Sequence, residues 1–219
     1  MSTARRNKQQ TVAVFGKRWG GELRLPKKGN SGNYFVDWIL ALLDAGGKLV
    51  EFVAIEVQTI DTTGNYRASR TALLNDDRTI VQSETGLNWE NVNKRILPQL
   101  VYKGQVLQRE ALCRKGLFFV CPTPVYDRIM TRVGGEDALV KYALQPASIT
   151  FMAYDLDLGE HVDPGTTVPL KLNTERSTTV YKLQEAFNNV TLPDENVYKT
   201  AIENALELNV VKTQILFED

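Results

Sequence analysis

Asp37, Glu56 and Gln58 are the residues of this chain whose types and spacing point to chemistry. They lie in two apolar runs, Tyr34–Leu43 and Leu49–Ile60, separated by Asp44-Ala45-Gly46-Gly47-Lys48. Gly-Gly between two apolar runs is a hairpin signal, because tight turns need positive φ. With Gly46 and Gly47 as the turn, Ala45 faces Lys48. Counting outward, Asp37 faces Glu56. Directly opposed residues point to one face of a sheet. Gln58, two positions beyond Glu56, returns to that face. One turn assumption therefore gathers two carboxylates and one amide.

Opposed carboxylates among apolar neighbours repel each other. A divalent cation removes the repulsion and gives the pair a use. Mg²⁺ is hard, prefers oxygen ligands and typically takes one or two carboxylates together with water and phosphate oxygens. It can activate a water and stabilise charge on a cleaved phosphodiester. Gln58 would orient the water through its carbonyl and hold an anionic oxygen through its amide. The other reading, three polar residues facing solvent at strand ends, stays open at this point.

The elements that must position these residues follow from the pattern. The candidate site shares its face with Ile39, Ala41, Leu43, Val50, Phe52 and Ala54, while Trp38, Leu40, Leu42, Val53, Ile55 and Val57 line the other. Two apolar faces predict a central hairpin covered on both sides. Thr11–Phe15 and Glu22–Leu25 read as short strands. From Asp61 to about Thr85 the chain is polar and carries no assigned element. Asn88–Leu112 reads as a helix on the spacing of Trp89, Val92, Ile96, Leu100 and Leu107, with Pro98 as a possible kink and Gly104 as a possible break. Gly116–Cys121 and Ser148–Leu156 read as strands, and Val125–Val133, Thr178–Asn188 and Asp194–Leu208 as helices, the last capped at Pro193-Asp194. The expected class is α/β (α+β), a central mixed β-sheet flanked by helices.

A chain of 219 residues suffices for one domain with a real core. The net charge is zero, but it is unevenly spread. Residues 1–30 hold eight basic groups against Glu22 alone, residues 31–153 hold 13 of each sign, and residues 154–219 hold five basic and twelve acidic groups. A basic arm over residues 1–30 can grip phosphate, or can serve only to keep the chain in solution. The domain division expected is this arm followed by one catalytic domain over 31–219, in which residues from about 148 onward form either a peripheral lobe or outer layers. With two cysteines and one histidine, the chain lacks the Cys/His set of a structural zinc site. Reduced thiols are expected. No run approaches the ~18 apolar residues of a membrane span, and the amino end is polar and basic. The expected compartment is the cytoplasm, with no membrane contact.

The runs Gly32-Asn33-Tyr34-Phe35-Val36-Asp37-Trp38-Ile39 and Phe52-Val53-Ala54-Ile55-Glu56-Val57-Gln58-Thr59-Ile60-Asp61-Thr62-Thr63-Gly64-Asn65-Tyr66 resemble the active-site region of NotI-type restriction endonucleases. These form a subset of the PD-(D/E)XK superfamily in which glutamine stands where lysine is usual. The resemblance is strongest over residues 32–66, extends through the following helix and the Phe118–Pro122 strand, and fades by about residue 135. It implies the restriction-endonuclease-like fold, with Asp37, Glu56 and the Val57 backbone carbonyl as metal ligands and Gln58 in the lysine position. It also implies Mg²⁺ as cofactor, double-stranded DNA as substrate and type II cleavage, by a homodimer or by two sequential visits. Arg67 and Arg70 would hold phosphates, and Asn91, Lys94 and Arg95 would reach DNA from the helix. For each of these the plain alternative is an ordinary solvated charge. Asp61 would assist the metal or shape a turn. A repair or mobile-element nuclease with the same site, and an inactive DNA-binding module on the same fold, are the alternatives. Two family features have no counterpart in the sequence: a four-cysteine iron site, and a helix before the first strand within residues 1–33.

Overall fold

A computed structural model describes residues 10–17, 23, 35–63, 67–75, 86–159, 166–189 and 192–207. Two units divide the chain, Met1–Asn189 and Val190–Asp219.

The first unit is built on one six-stranded sheet in the order β1-β2-β3-β4-β5-β6. The strands are β1 (Thr11–Gly16), β2 (Trp38–Leu43), β3 (Leu49–Val57), β4 (Leu117–Pro122), β5 (Ser148–Leu156) and β6 (Leu170–Thr179). β3, β4 and β5 run parallel, and β1, β2 and β6 complete the sheet with antiparallel pairings. The sheet is mixed and the class is α+β, as expected and consistent with a PD-(D/E)XK-like fold. Thr11–Gly16, within the stretch read as a basic arm, is one of the two edge strands of this sheet. The proposed Glu22–Leu25 strand lies outside the described residues except for Leu23.

The β2–β3 turn differs from the tight Gly-Gly form. Only Gly47 has positive φ, at 79°. The loop spans Asp44–Lys48, and Asp44 Oδ1 accepts from the backbone N–H groups of Gly46 and Lys48, both at 2.9 Å. Leu43 pairs with Leu49, and a bulge follows between Leu42 and Leu43. One extra residue in a bulge shifts the register by one. The shift restores the predicted pairing from Leu42↔Glu51 to Trp38↔Ile55. The turn is longer than the two-residue form, yet the register matches the expected one because the bulge compensates.

The hydrophobic core lies on one face of the parallel strands. Ala54, Leu117, Phe119, Cys121, Ile149, Phe151 and Ala153 are all buried there, and the Phe119 and Phe151 rings meet edge to face at 5.8 Å. Helix α1 (Arg67–Leu74) falls in the polar stretch that carried no assignment. Helix α2 (Leu97–Leu107) is preceded by a π turn, Val92–Ile96. Inside that turn Leu97 N–H reaches back five residues to Val92 O. Pro98, which has no N–H to give, follows at the start of the regular helix, so it opens α2 and does not kink it. Gly104 does not break it either. A Cβ there would lie 2.4 Å from Val180 Cγ2 and 3.3 Å from Ile149 Cδ1, so the missing side chain lets α2 sit close against Val180 and strand β5. Helix α3 (Thr123–Arg132) brings Tyr126 against Phe151. Helix α4 (Val180–Asn188) continues directly from β6, and the Thr179 hydroxyl accepts from Lys182 N–H as its cap.

β6 is a strand the sequence reading missed. Its exposed polar residues give no apolar alternation, and it sits at the sheet edge. On the face opposite the core, Val53, Ile55, Phe118, Val120 and Met152 stay half-buried. The hairpin is thus fully buried only at Ala41, Ala54 and Glu56, less than the two-sided burial expected. Helices α2 and α3 pack on β4 and β5, α4 meets β6, and β2 lies one strand in from the edge. In the second unit, α5 (Val197–Glu207) starts after Asn196, whose φ is 63°, so it begins three residues later than predicted.

Candidate active site

β2 and β3 bring Asp37 and Glu56 together at their far ends. The pairing continues from Trp38↔Ile55, so Asp37 stands at the position opposite Glu56. Asp37 is exposed, and its Oδ2 accepts a 2.8 Å hydrogen bond from the Val57 N–H. The acid therefore clips the start of β2 to the end of β3 beside Glu56. Glu56 is 7% exposed. It occupies the core face in register with Phe119, where an ionised carboxylate needs a partner.

The partner is Lys103, which the sequence reading did not single out. Lys103 reaches from α2, and its Nζ lies 2.5 Å from Glu56 Oε1 with both side chains buried. A signal for it exists in the sequence. Ile96, Leu100, Lys103 and Leu107 recur at spacings of four, three and four, so a lysine occupies the apolar stripe of a helix and must meet an acid. Burial pushes the Glu56 carboxyl above the ordinary carboxylate range. The Lys103 hydrogen bond and charge pull it back, the Asp37 charge adds to the rise, and the nearby Asp37 backbone lowers it. The two carboxylates are therefore unequal. Asp37 is exposed and bound to backbone, and Glu56 is desolvated and already half-satisfied by a cation.

The other oxygen, Glu56 Oε2, is buried without a hydrogen-bond partner. A buried acceptor left open is uncommon and marks a place that suits an ion or water. Together with Asp37 it supplies the hard oxygen donors that Mg²⁺ takes, so the residues fit such an ion. Among the described residues no group of three or more His, Cys, Asp and Glu side chains is gathered as a metal site. The fit is that of a two-carboxylate site completed by other oxygens.

Gln58 follows β3, half-buried. Its Nε2 donates to Thr59 O at 2.8 Å, and its backbone N–H donates to Val120 O at 3.0 Å. It lines a small crevice with Asp61, Asn91 and Arg95. Asp61 Oδ2 accepts from Asn91 Nδ2 and from Arg95 Nη1, both at 3.0 Å. Asp61 thus anchors the strand exit to the helical turn before α2. Its backbone carbonyl also takes the Asn88 N–H. Lys94 pairs with Glu90 on the same turn. Arg67 and Arg70 lie on the exposed side of α1.

Cys113 and Cys121 are separate, buried, free thiols. Burial pushes them up to about 11 and about 12 respectively, so neither is a ready nucleophile.

No helix among the described residues is long and apolar enough to cross a membrane. A comparison with curated proteins finds no match. The family model for restriction endonuclease NotI matches residues 16–132, more than half of the chain. That span holds Asp37, Glu56, Gln58 and Lys103. The chain belongs to the NotI family of restriction endonucleases, nucleases that act on DNA.

Proposed function

We propose that this chain is a type II restriction endonuclease that hydrolyses phosphodiester bonds of double-stranded DNA with Mg²⁺. The observation that carries the reading is the buried, unpartnered Glu56 Oε2 beside Asp37. Asp37, Glu56 and the Val57 carbonyl would hold the cation. When bound, such an ion polarises the phosphate and makes its water more acidic. Gln58 orients that water through its amide carbonyl and offers an N–H to a phosphate oxygen. Arg67, Arg70, Lys94 and Arg95 contact the DNA backbone, where such contacts fix position without reading sequence. The residue 1–30 stretch, rich in Lys and Arg, adds affinity of the same kind. Symmetric cutting of a palindrome calls for a homodimer, and the place of action is the cytoplasm.

The test is incubation of the purified protein with unmethylated DNA, with and without Mg²⁺, followed by sequencing of the fragment ends. A single repeated end sequence that appears only with Mg²⁺, and is absent with Asp37→Asn, is the expected result. The same fragments from Asp37→Asn would end the reading.

A further inference from the structure

The Lys103–Glu56 pair raises a question that two facing acids alone do not. Glu56 has a cation supplied by the chain itself: Lys103 Nζ sits on Oε1, with side-chain exposures of 7% and 9%. Position 58, just after β3, brings no charge, because a glutamine stands there. The site's positive group comes instead from helix α2. Asp37, Glu56 and Lys103 together leave one excess negative charge.

We propose that Lys103 is a built-in competitor for the divalent ion and sets the metal affinity of this site. The inference rests on the metal-centre reading above. Lys103 satisfies Glu56 when no metal is present, so the fold does not depend on metal to bury that carboxylate. A metal held by Glu56 then shares the carboxylate with the ammonium. Two cations on one buried carboxylate repel, and the repulsion is strong where water is scarce. The site therefore binds metal more weakly than its two acids would alone. The excess positive charge left after metal binding suits a phosphodiester, so a DNA phosphate completes the balance.

Mn²⁺ binding to the full chain, followed by electron paramagnetic resonance without DNA, tests this. Lys103→Met and Lys103→Gln are compared with the unsubstituted protein, alongside thermal melts with and without Mn²⁺. Lys103→Met removes the partner outright, and Lys103→Gln keeps a donor without the charge. The expected result is Mn²⁺ affinity higher by about tenfold or more in each folded variant, with a lower melting temperature that Mn²⁺ raises more than in the unsubstituted protein. If Lys103→Met folds only with Mn²⁺, that dependence supports the proposal, and Lys103→Gln gives the affinity. Equal or weaker Mn²⁺ binding in the folded variants overturns it. Failure of the underlying reading looks different: Mn²⁺ binding would then be unchanged by both Asp37→Asn and Glu56→Gln.

Discussion

Asp37 Oδ2 accepts a hydrogen bond from the Val57 N–H at 2.8 Å, so the exposed acid of the pair is fixed by the backbone of the strand that carries the buried one. The amide of Asp37→Asn can accept the same bond through its oxygen. The variant should keep its melting temperature, within about 0.5 kcal/mol of stability, and lose cleavage. Asp37→Ala loses the bond as well and should be less stable by about 1 kcal/mol. Melting curves beside a cleavage assay check both. Full activity in Asp37→Asn would remove this residue from the site.

Glu56→Gln should behave differently. It strips the counter-charge from a buried ammonium, and breaking one side of a buried pair costs about 3–5 kcal/mol. Removing both charges with Glu56→Gln plus Lys103→Met should recover part of that loss. Urea denaturation of the two single variants and the double variant measures the coupling. Additive effects would mean that the 2.5 Å contact contributes nothing.

Gln58 offers a graded test. Gln58→Lys can still hold a phosphate oxygen and should retain some cleavage. Gln58→Ala has no polar group to offer and should retain less. Rates measured at saturating Mg²⁺ rank the two, and an alanine variant as fast as the unsubstituted protein would dismiss Gln58.

Gly116 leads into β4 with φ of 71°, and a Cβ there would fall 2.1 Å from the Ser148 carbonyl oxygen. Neither the backbone angle nor the neighbouring strand can yield cheaply. Gly116→Ala should destabilise the protein by roughly 3 kcal/mol, from left-handed strain and overpacking together. Chemical denaturation reads the loss, and a change below about 0.5 kcal/mol would contradict the close β4–β5 approach.

The thiols give a pH dependence. Cys113 and Cys121 rise from an ordinary 9.0 to about 11 and about 12 in the fold, through burial. Groups raised on folding stabilise fully below their unfolded value, and the contribution is lost as pH climbs through the folded values. The melting temperature should therefore fall as pH rises above about 9, and less steeply in a double Cys→Ala variant. A thiol reagent at neutral pH should react only after unfolding. Equal pH slopes in the two proteins would refute the assignment.

The sequence by itself determined the hairpin, the face shared by Asp37 and Glu56, and the strands β4 and β5, while the bulge that keeps the register and the parallel pairing of β4 with β5 came from the fold. The elements follow from local periodicity and from residue types that each stretch carries alone, and the family was legible as a resemblance of the runs around Asp37 and Glu56. The π turn, the role of Asp61, helix α1 and strand β6 were not legible. Strand β6 is polar and held by its ladder to β5, and a ladder depends on what lies beside a strand. The decisive addition is Lys103, 47 residues from Glu56 in the chain. Spacing could mark it as a lysine on an apolar stripe. Only the packing of α2 over β3 decided which acid it meets, because a buried charge is tolerable just where the fold supplies its partner.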